Sequence, residues 1–366
     1  MTECELLDNE KTYTKLDGKP RIDSFFNKDG LLLRTYGWLV KNAIGIIVLI
    51  HGIQSHTRIT FLRHNIEIGN NDKVIIKDAD DFYVYKDSWI EHFNKNGYSV
   101  FGLDLQGHGL SDGWKNLYLH INNFDDFAYD VIQYINKIHE TSITDSENCI
   151  TSYDDNEKKK KKNNNNSNIK KLPIYLIGFS MGGNIVLRTL ELLGKVNNNS
   201  NSNLNIKGCI SLSGMVSLQQ LPPPKTSAFK NIMLLSKCVA RCFPTFRLFY
   251  KCPHNMHPVI KVLLTSDKIR SKKSITCIFG SELLRAMYNL ENDMKHIPKD
   301  IPILFVHSKQ DSICYYGGVS SFYNRLDVEN KELHTIDKMD HIIVWEPGNE
   351  KILEKIIEWL RDLQEK

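Results

Sequence analysis

Apolar positions along this chain follow two rhythms. Short, largely apolar runs at 45–50, 98–105, 174–177, 206–212 and 301–306 predict strands buried on both faces, as inside a parallel sheet. Between them apolar residues recur at helical spacing. Positions 124, 127, 128, 131, 132, 135 and 138 predict a helix over 124–138, and 352, 353, 356, 357, 360 and 363 predict one over 351–363. A shorter helix is expected over 88–96, stopped by Gly97. Two early runs, 22–26 and 31–39, flank Asn27-Lys-Asp-Gly30 and predict a hairpin. Residues 333–336 read as a weaker strand. The alternation is broken by residues 215–299, which open on Pro222-Pro-Pro224 and carry an amphipathic helix over 228–242. Together these patterns predict an α/β fold: a mainly parallel central sheet flanked by helices, with an inserted subdomain.

Polar stretches set the boundaries. Residues 1–20 are expected to be a flexible N-terminus. Residues 21–214 form the first part of the core, interrupted by an insertion at 57–86 and a disordered segment at 141–171. The latter holds five lysines at 158–162 and asparagines at 163–166, a composition that cannot bury a core. A second Asn-rich loop spans 197–203. Residues 300–366 complete the core, and no fixed-period repeat is visible.

Charge and cysteine content narrow the functional classes. The net charge of +4 misleads, because the lysine run alone exceeds it and the remainder is slightly negative. That balance argues against a nucleic-acid partner, and the lysine run reads as a solvated insertion. The eight cysteines are scattered, which suits reduced thiols in a cytosolic protein. The start, Met-Thr-Glu-Cys-Glu, lacks the pattern of a signal peptide, and no apolar run is long enough to span a bilayer. A cytoplasmic location is therefore expected.

The candidate chemistry centres on Gly178-Phe-Ser180-Met-Gly182. A predicted strand precedes this G-x-S-x-G stretch and a helical pattern follows it, the context of the nucleophile elbow of α/β-hydrolases. Gly178 and Gly182 would let a sharp turn form without side-chain collisions. A serine hydroxyl is a weak nucleophile and needs a base, an acid orienting the base, and oxyanion donors. In this fold the order is serine, acid, histidine. Asp311, just past the strand at 301–306, is the preferred acid, with Asp340 and Glu346 as rivals. His341, in the loop before the last helix, is the preferred base, and His334 falls within the weak strand. The oxyanion donors are expected to be the N–H groups of Met181 and Ile53, with Gln54 next after Ile53. His51 and His108 read as structural. Cys242, Cys252, His254 and His257 fit no standard zinc spacing, so no metal is expected.

With these residues assembled, the chain resembles the monoglyceride lipase and lysophospholipase branch of the α/β-hydrolases. The matching motifs are His51-Gly-Ile-Gln-Ser-His56, Asp104-Leu-Gln-Gly-His-Gly-Leu-Ser111, Gly178-Phe-Ser-Met-Gly-Gly183, the Asp311 region, Phe279-Gly-Ser-Glu-Leu-Leu284, and Met339-Asp-His341 with Glu346 and Trp359. Within that branch, Lys28-Asp-Gly-Leu-Leu-Leu33, Asn42-Ala-Ile-Gly45, Ser88-Trp-Ile-Glu91 and the Asn/Lys-rich insertions resemble the subtelomeric (PST-A type) lysophospholipase-like proteins of malaria parasites. The resemblance covers roughly residues 20–363. Phe179 stands where histidine is common, and Ser308 where glycine is usual.

The resemblance implies that 215–299 form a mainly helical cap. It also implies a cofactor-free serine esterase acting through an acyl-enzyme on a single-chain lipid ester such as a lysophospholipid or monoacylglycerol. A short-chain carboxylesterase of broad specificity and a non-catalytic binding module are the alternatives. No Asp or Glu occurs from Leu192 to Ser266, and the cap half of that stretch interleaves Lys225, Lys230, Lys237, Arg241, Arg247, Lys251 and Lys261 with large apolar residues. Two readings stay open: peripheral contact with an anionic membrane or phosphate-bearing amphiphile, or ordinary packing with the basic residues in water.

Overall fold

The computed structural model describes residues 18–68, 74–78, 80–151, 171–197, 204–248 and 257–365. An eight-stranded sheet forms from β1 (Arg21–Phe26), β2 (Leu32–Trp38), β3 (Gly45–Ile50), β4 (Tyr98–Leu103), β5 (Ile174–Phe179), β6 (Ile206–Leu212), β7 (Ile303–Ser308) and β8 (Lys331–Ile336). Its spatial order is β1-β2-β4-β3-β5-β6-β7-β8. β1 and β2 are antiparallel, β2 runs antiparallel to β4, and the pairings from β4 to β8 are parallel. The hairpin turn follows from its residues. Asn27 Oδ1 accepts the N–H groups of Asp29 at 3.0 Å and Leu31 at 2.9 Å, and Gly30 takes φ +75°.

The central strands are apolar on both faces because both faces are covered. In β3, Ile46, Val48 and Ile50 enter one core while Ile47 and Leu49 enter the other. β5 divides likewise, Ile174 and Leu176 against Tyr175 and Ile177, and β7 divides Ile303 and Phe305 against Leu304 and Val306. α3 (Asp125–Thr151) and α4 (Met181–Asn197) cover the first face; α2 (Trp89–Lys95) and α9 (Asn349–Gln364) cover the second. The apolar stripe of α3 ends at Ile138, yet its backbone stays helical to Thr151. That corrects the expected start of disorder at 141. Extending a formed helix adds one hydrogen bond per residue without a new nucleation cost, so the backbone continues helical past that boundary.

The described residues of the 57–86 insertion form regular structure. α1 (Thr57–Phe61) follows β3 directly, and two short ladders form, Arg63–His64 with Tyr83–Val84 and Ile66–Ile68 with Val74–Ile76. Between β6 and β7 come α5 (Ser227–Cys242), α6 (Pro258–Ser266) and α7 (Cys277–Asp293), the last two not placed by the sequence pattern. α8 (Tyr316–Arg325) joins β7 to β8. Val259 and Leu263 of α6 pack with Phe82, Tyr83 and Ile66 in a third apolar cluster that joins the two insertions. Residues 1–17 of the expected flexible N-terminus, the lysine run, residues 198–203 of the Asn-rich loop, Lys251, Cys252 and His254 lie outside the described residues. Among those described, no helix is long and apolar enough to cross a membrane.

Candidate active site

The carboxyl ends of β3, β5, β7 and β8 converge on one edge of the sheet. Ser180 lies between β5 and α4 with φ +57°, a left-handed conformation that costs a non-glycine residue about 1–3 kcal/mol. Its surroundings hold it there. Its N–H donates to Leu212 O at 2.8 Å, and its carbonyl accepts from Gly183 N at 2.9 Å and Met215 N at 3.0 Å. Both flanking glycines are required sterically. A methyl on Gly178 would lie 2.1 Å from Gly182 O, and one on Gly182 would lie 2.3 Å from Ile50 O.

His341 reaches this serine from the loop after β8. Its Nε2 is 2.8 Å from Ser180 Oγ, and its Nδ1 lies 3.0 and 2.8 Å from the two oxygens of Asp311. An ionised carboxylate only accepts, so the proton sits on Nδ1 and Nε2 is free to accept from the serine. All three side chains are buried. Burial pushes the Asp311 carboxyl upward, but His341 and His307 overcome that, and the group is held well below the usual carboxylate range. Asp311 Oδ1 also accepts the N–H groups of Ile313 at 2.9 Å and Cys314 at 2.7 Å.

The rival acids are engaged elsewhere. Asp340 accepts from Ser312 N at 2.7 Å and Ser312 Oγ at 3.0 Å. Glu346 accepts the N–H of Asp340 at 2.9 Å. Ser308, where glycine is usual in the resembling branch, donates through Oγ to Met339 O. These bonds fix the loop that carries His341. Phe179 packs its ring 5.5 Å from that of His341, and His334 is a residue of β8.

Ile53 and Met181 flank the serine from two sides. Met181 opens α4, where the first N–H groups have no intrahelical acceptor. A Cβ on Gly52 would sit 3.1 Å from that of Ser180, so the Ile53 loop runs directly against the serine. Among the described residues neither the Ile53 nor the Met181 N–H has a hydrogen-bond acceptor. Gln54, the next residue, takes φ +53°. His51 braces this loop by donating Nδ1–H to Gly52 O at 2.7 Å and accepting Leu105 N at 3.0 Å. Burial pushes His51 down to about 3, so the ring is neutral.

One group of metal-ligand atoms occurs among the described residues: Asp311, Cys314 and His341 lie within 4.8 Å of one another. The donor set does not suit a cation. His341 Nδ1 already faces Asp311, and burial pushes the Cys314 thiol well up, which keeps it protonated.

A buried cluster behind the Ile53 loop was missed by the sequence reading. His56 Nε2 lies 3.1 Å from Asp267 Oδ2, and Tyr83 donates to the same oxygen at 2.6 Å. Its one legible signal is that Asp267 ends the acid-free stretch from Leu192 to Ser266.

The family described as serine aminopeptidase, S33 matches residues 80–150 and 151–348, well over half of the chain. The chain belongs to this family of hydrolases. Ser180, Asp311 and His341 lie within the match, whereas Ile53 precedes it. Among solved structures, it is similar to a soluble variant of monoglyceride lipase from Saccharomyces cerevisiae, in complex with a substrate analog. The TM-score is 0.67 at 19% identity, covering 96% of this chain and 98% of that one. A monoacylglycerol lipase from Paleococcus ferrophilus gives 0.60 at 18% identity, covering 94% and 99%. A thermostable carboxyl esterase from Bacillus coagulans, in complex with glycerol, gives 0.66 at 14% identity, covering 94% and 98%. These likenesses establish the α/β-hydrolase fold. A search of curated protein sequences found no match.

Proposed function

We propose that this S33-family hydrolase cleaves carboxylic esters of single-chain lipids, of the lysophospholipid or monoacylglycerol kind, through an acyl-enzyme. The observation that carries the reading is the continuous chain from Ser180 Oγ through His341 to Asp311, at 2.8 Å on each side of the imidazole. Ser180 Oγ attacks the ester carbonyl carbon while His341 Nε2 takes its proton. Asp311 orients the ring and stabilises its cationic form. The N–H groups of Ile53 and Met181 bind the oxyanion, each such donor worth about 3–4 kcal/mol. His341 then protonates the leaving alcohol, and water, deprotonated by the same nitrogen, releases the acid.

Two features support a lipid substrate. The resemblance to monoglyceride lipases and to the malaria-parasite lysophospholipase-like proteins is one. The other is α5, which with α6 and α7 we assign to a cap over the site. Only Phe229 and Ala240 of α5 are buried, while Leu234, Leu235, Phe243 and Phe246 are more than 60% exposed beside Lys230, Lys237 and Arg241. Packing on the core does not account for that apolar surface. A basic amphipathic helix of this kind suits the face of an anionic membrane.

Hydrolysis of p-nitrophenyl esters from acetate to palmitate, alongside lysophosphatidylcholine, tests the assignment. We expect kcat/KM to rise with chain length and the lysolipid to be turned over. Preference for acetate with no lysolipid turnover would instead identify a short-chain carboxylesterase.

A further inference from the structure

The Ile53 loop is held from the far side by the insertion between β6 and β7. Asp267, directly after α6, is fully buried and ionised; burial pushes its carboxyl upward, but hydrogen bonds and charge from His56, with Tyr83, hold it well below the usual range. Its Oδ2 receives Tyr83 Oη–H at 2.6 Å and His56 Nε2–H at 3.1 Å. Its Oδ1 receives the N–H groups of Ile269 at 2.7 Å and Arg270 at 2.6 Å, which shapes the segment 267–273. His56 is itself the N-cap of α1, accepting Ile59 N on Nδ1. That leaves Nε2 as its protonated nitrogen, facing the carboxylate. One buried carboxylate thus ties the start of α1 to the end of α6.

The same segment reaches the residue beside the candidate oxyanion donor. Gln54 Nε2 donates to Lys273 O at 2.8 Å, and Gln54 Oε1 accepts from Arg270 Nη2 at 3.4 Å. Gln54 holds φ +53°, a conformation that persists only where surroundings over-determine it. Here the determinants are His51 bonding Gly52 O on the core side, and the 267–273 segment on the other. The Ile53 N–H direction is set between these two anchors.

From this we infer that the Asp267–His56–Tyr83 cluster, acting with Gln54, is a latch through which the cap sets the orientation of the Ile53 N–H toward the carbonyl at Ser180. Gln54, His56 and Asp267 are positioning residues in this account, which rests on the esterase reading above. Opening the latch removes transition-state stabilisation without removing a catalytic atom. Small misplacements of this kind cost up to about 100-fold in rate.

The test uses the full chain and three variants, Asp267→Asn, Gln54→Ala and Tyr83→Phe, each checked for a native circular dichroism spectrum. For Asp267→Asn and Gln54→Ala, we expect kcat on p-nitrophenyl butyrate and laurate to fall by about 10- to 100-fold equally. KM should stay nearly constant, and affinity for a trifluoromethyl ketone, which mimics the oxyanion, should fall in parallel. Tyr83→Phe keeps the His56–Asp267 contact and should lose less. Hydrogen exchange at Ile59 and Thr60, whose N–H groups bond His56 at 3.4 and 3.1 Å, should accelerate in Asp267→Asn whether or not ester is turned over. Folded variants with unchanged kcat, a defect confined to KM for laurate, or unchanged exchange at Ile59 and Thr60 would each overturn the latch. An inactive wild type with accelerated exchange in Asp267→Asn would refute the esterase reading and leave the latch standing.

Discussion

Asp311 is the residue on which the assignment of roles at the site turns. It is buried, receives two backbone N–H bonds, and touches both His341 and His307. In the sequence only its place just past the apolar run at 301–306 favours it over Asp340, one residue from the histidine. In space the distinction is sharper, because Ser312 occupies both oxygens of Asp340. Replacing Asp311 by Asn keeps the shape but favours the wrong imidazole tautomer. We expect kcat on a p-nitrophenyl ester to fall about 10³- to 10⁴-fold, with KM little changed. Steady-state kinetics checks this, and a loss below about tenfold would return Asp340 or Glu346 to consideration. Ser180 was legible because it sits in a motif with a strand before it and a helix after. The His56–Asp267 pair was not, because contacts across 211 positions leave no periodic trace.

Elements were legible in proportion to the regularity of their burial. β3, β5 and β7 are buried throughout and read as continuous apolar runs, while α9 shows a clean stripe. The short ladders of residues 63–84 are two and three residues long, too brief for either period to register. α5 is the informative exception: its pattern predicted a helix, but only the structure shows how little of its apolar surface the protein covers. If α5 docks on membranes, Leu234→Asp with Leu235→Asp should weaken binding to phosphatidylserine-containing vesicles by at least about tenfold. Turnover of a soluble short ester should be unaffected. Vesicle sedimentation measures this, and equal binding of both proteins would assign that surface another role. Binding should also weaken with added salt, since each Lys or Arg near an anionic surface contributes about 1 kcal/mol.

At the scale of the molecule, two segments far apart in sequence share one task. Residues 57–86 and the block between β6 and β7 meet through α6 and through Asp267, directly behind the loop that follows β3. The sheet brings the ends of β3, β5, β7 and β8 together on one edge. The central claim is that Ser180 is an activated nucleophile. Labelling with a fluorophosphonate probe tests it most directly, read by mass spectrometry of the modified peptide. We expect stoichiometric modification of Ser180 in the folded protein, none after denaturation, and none in Ser180→Ala. Absence of labelling in the folded chain, or equal labelling of Ser180→Ala, would contradict the account.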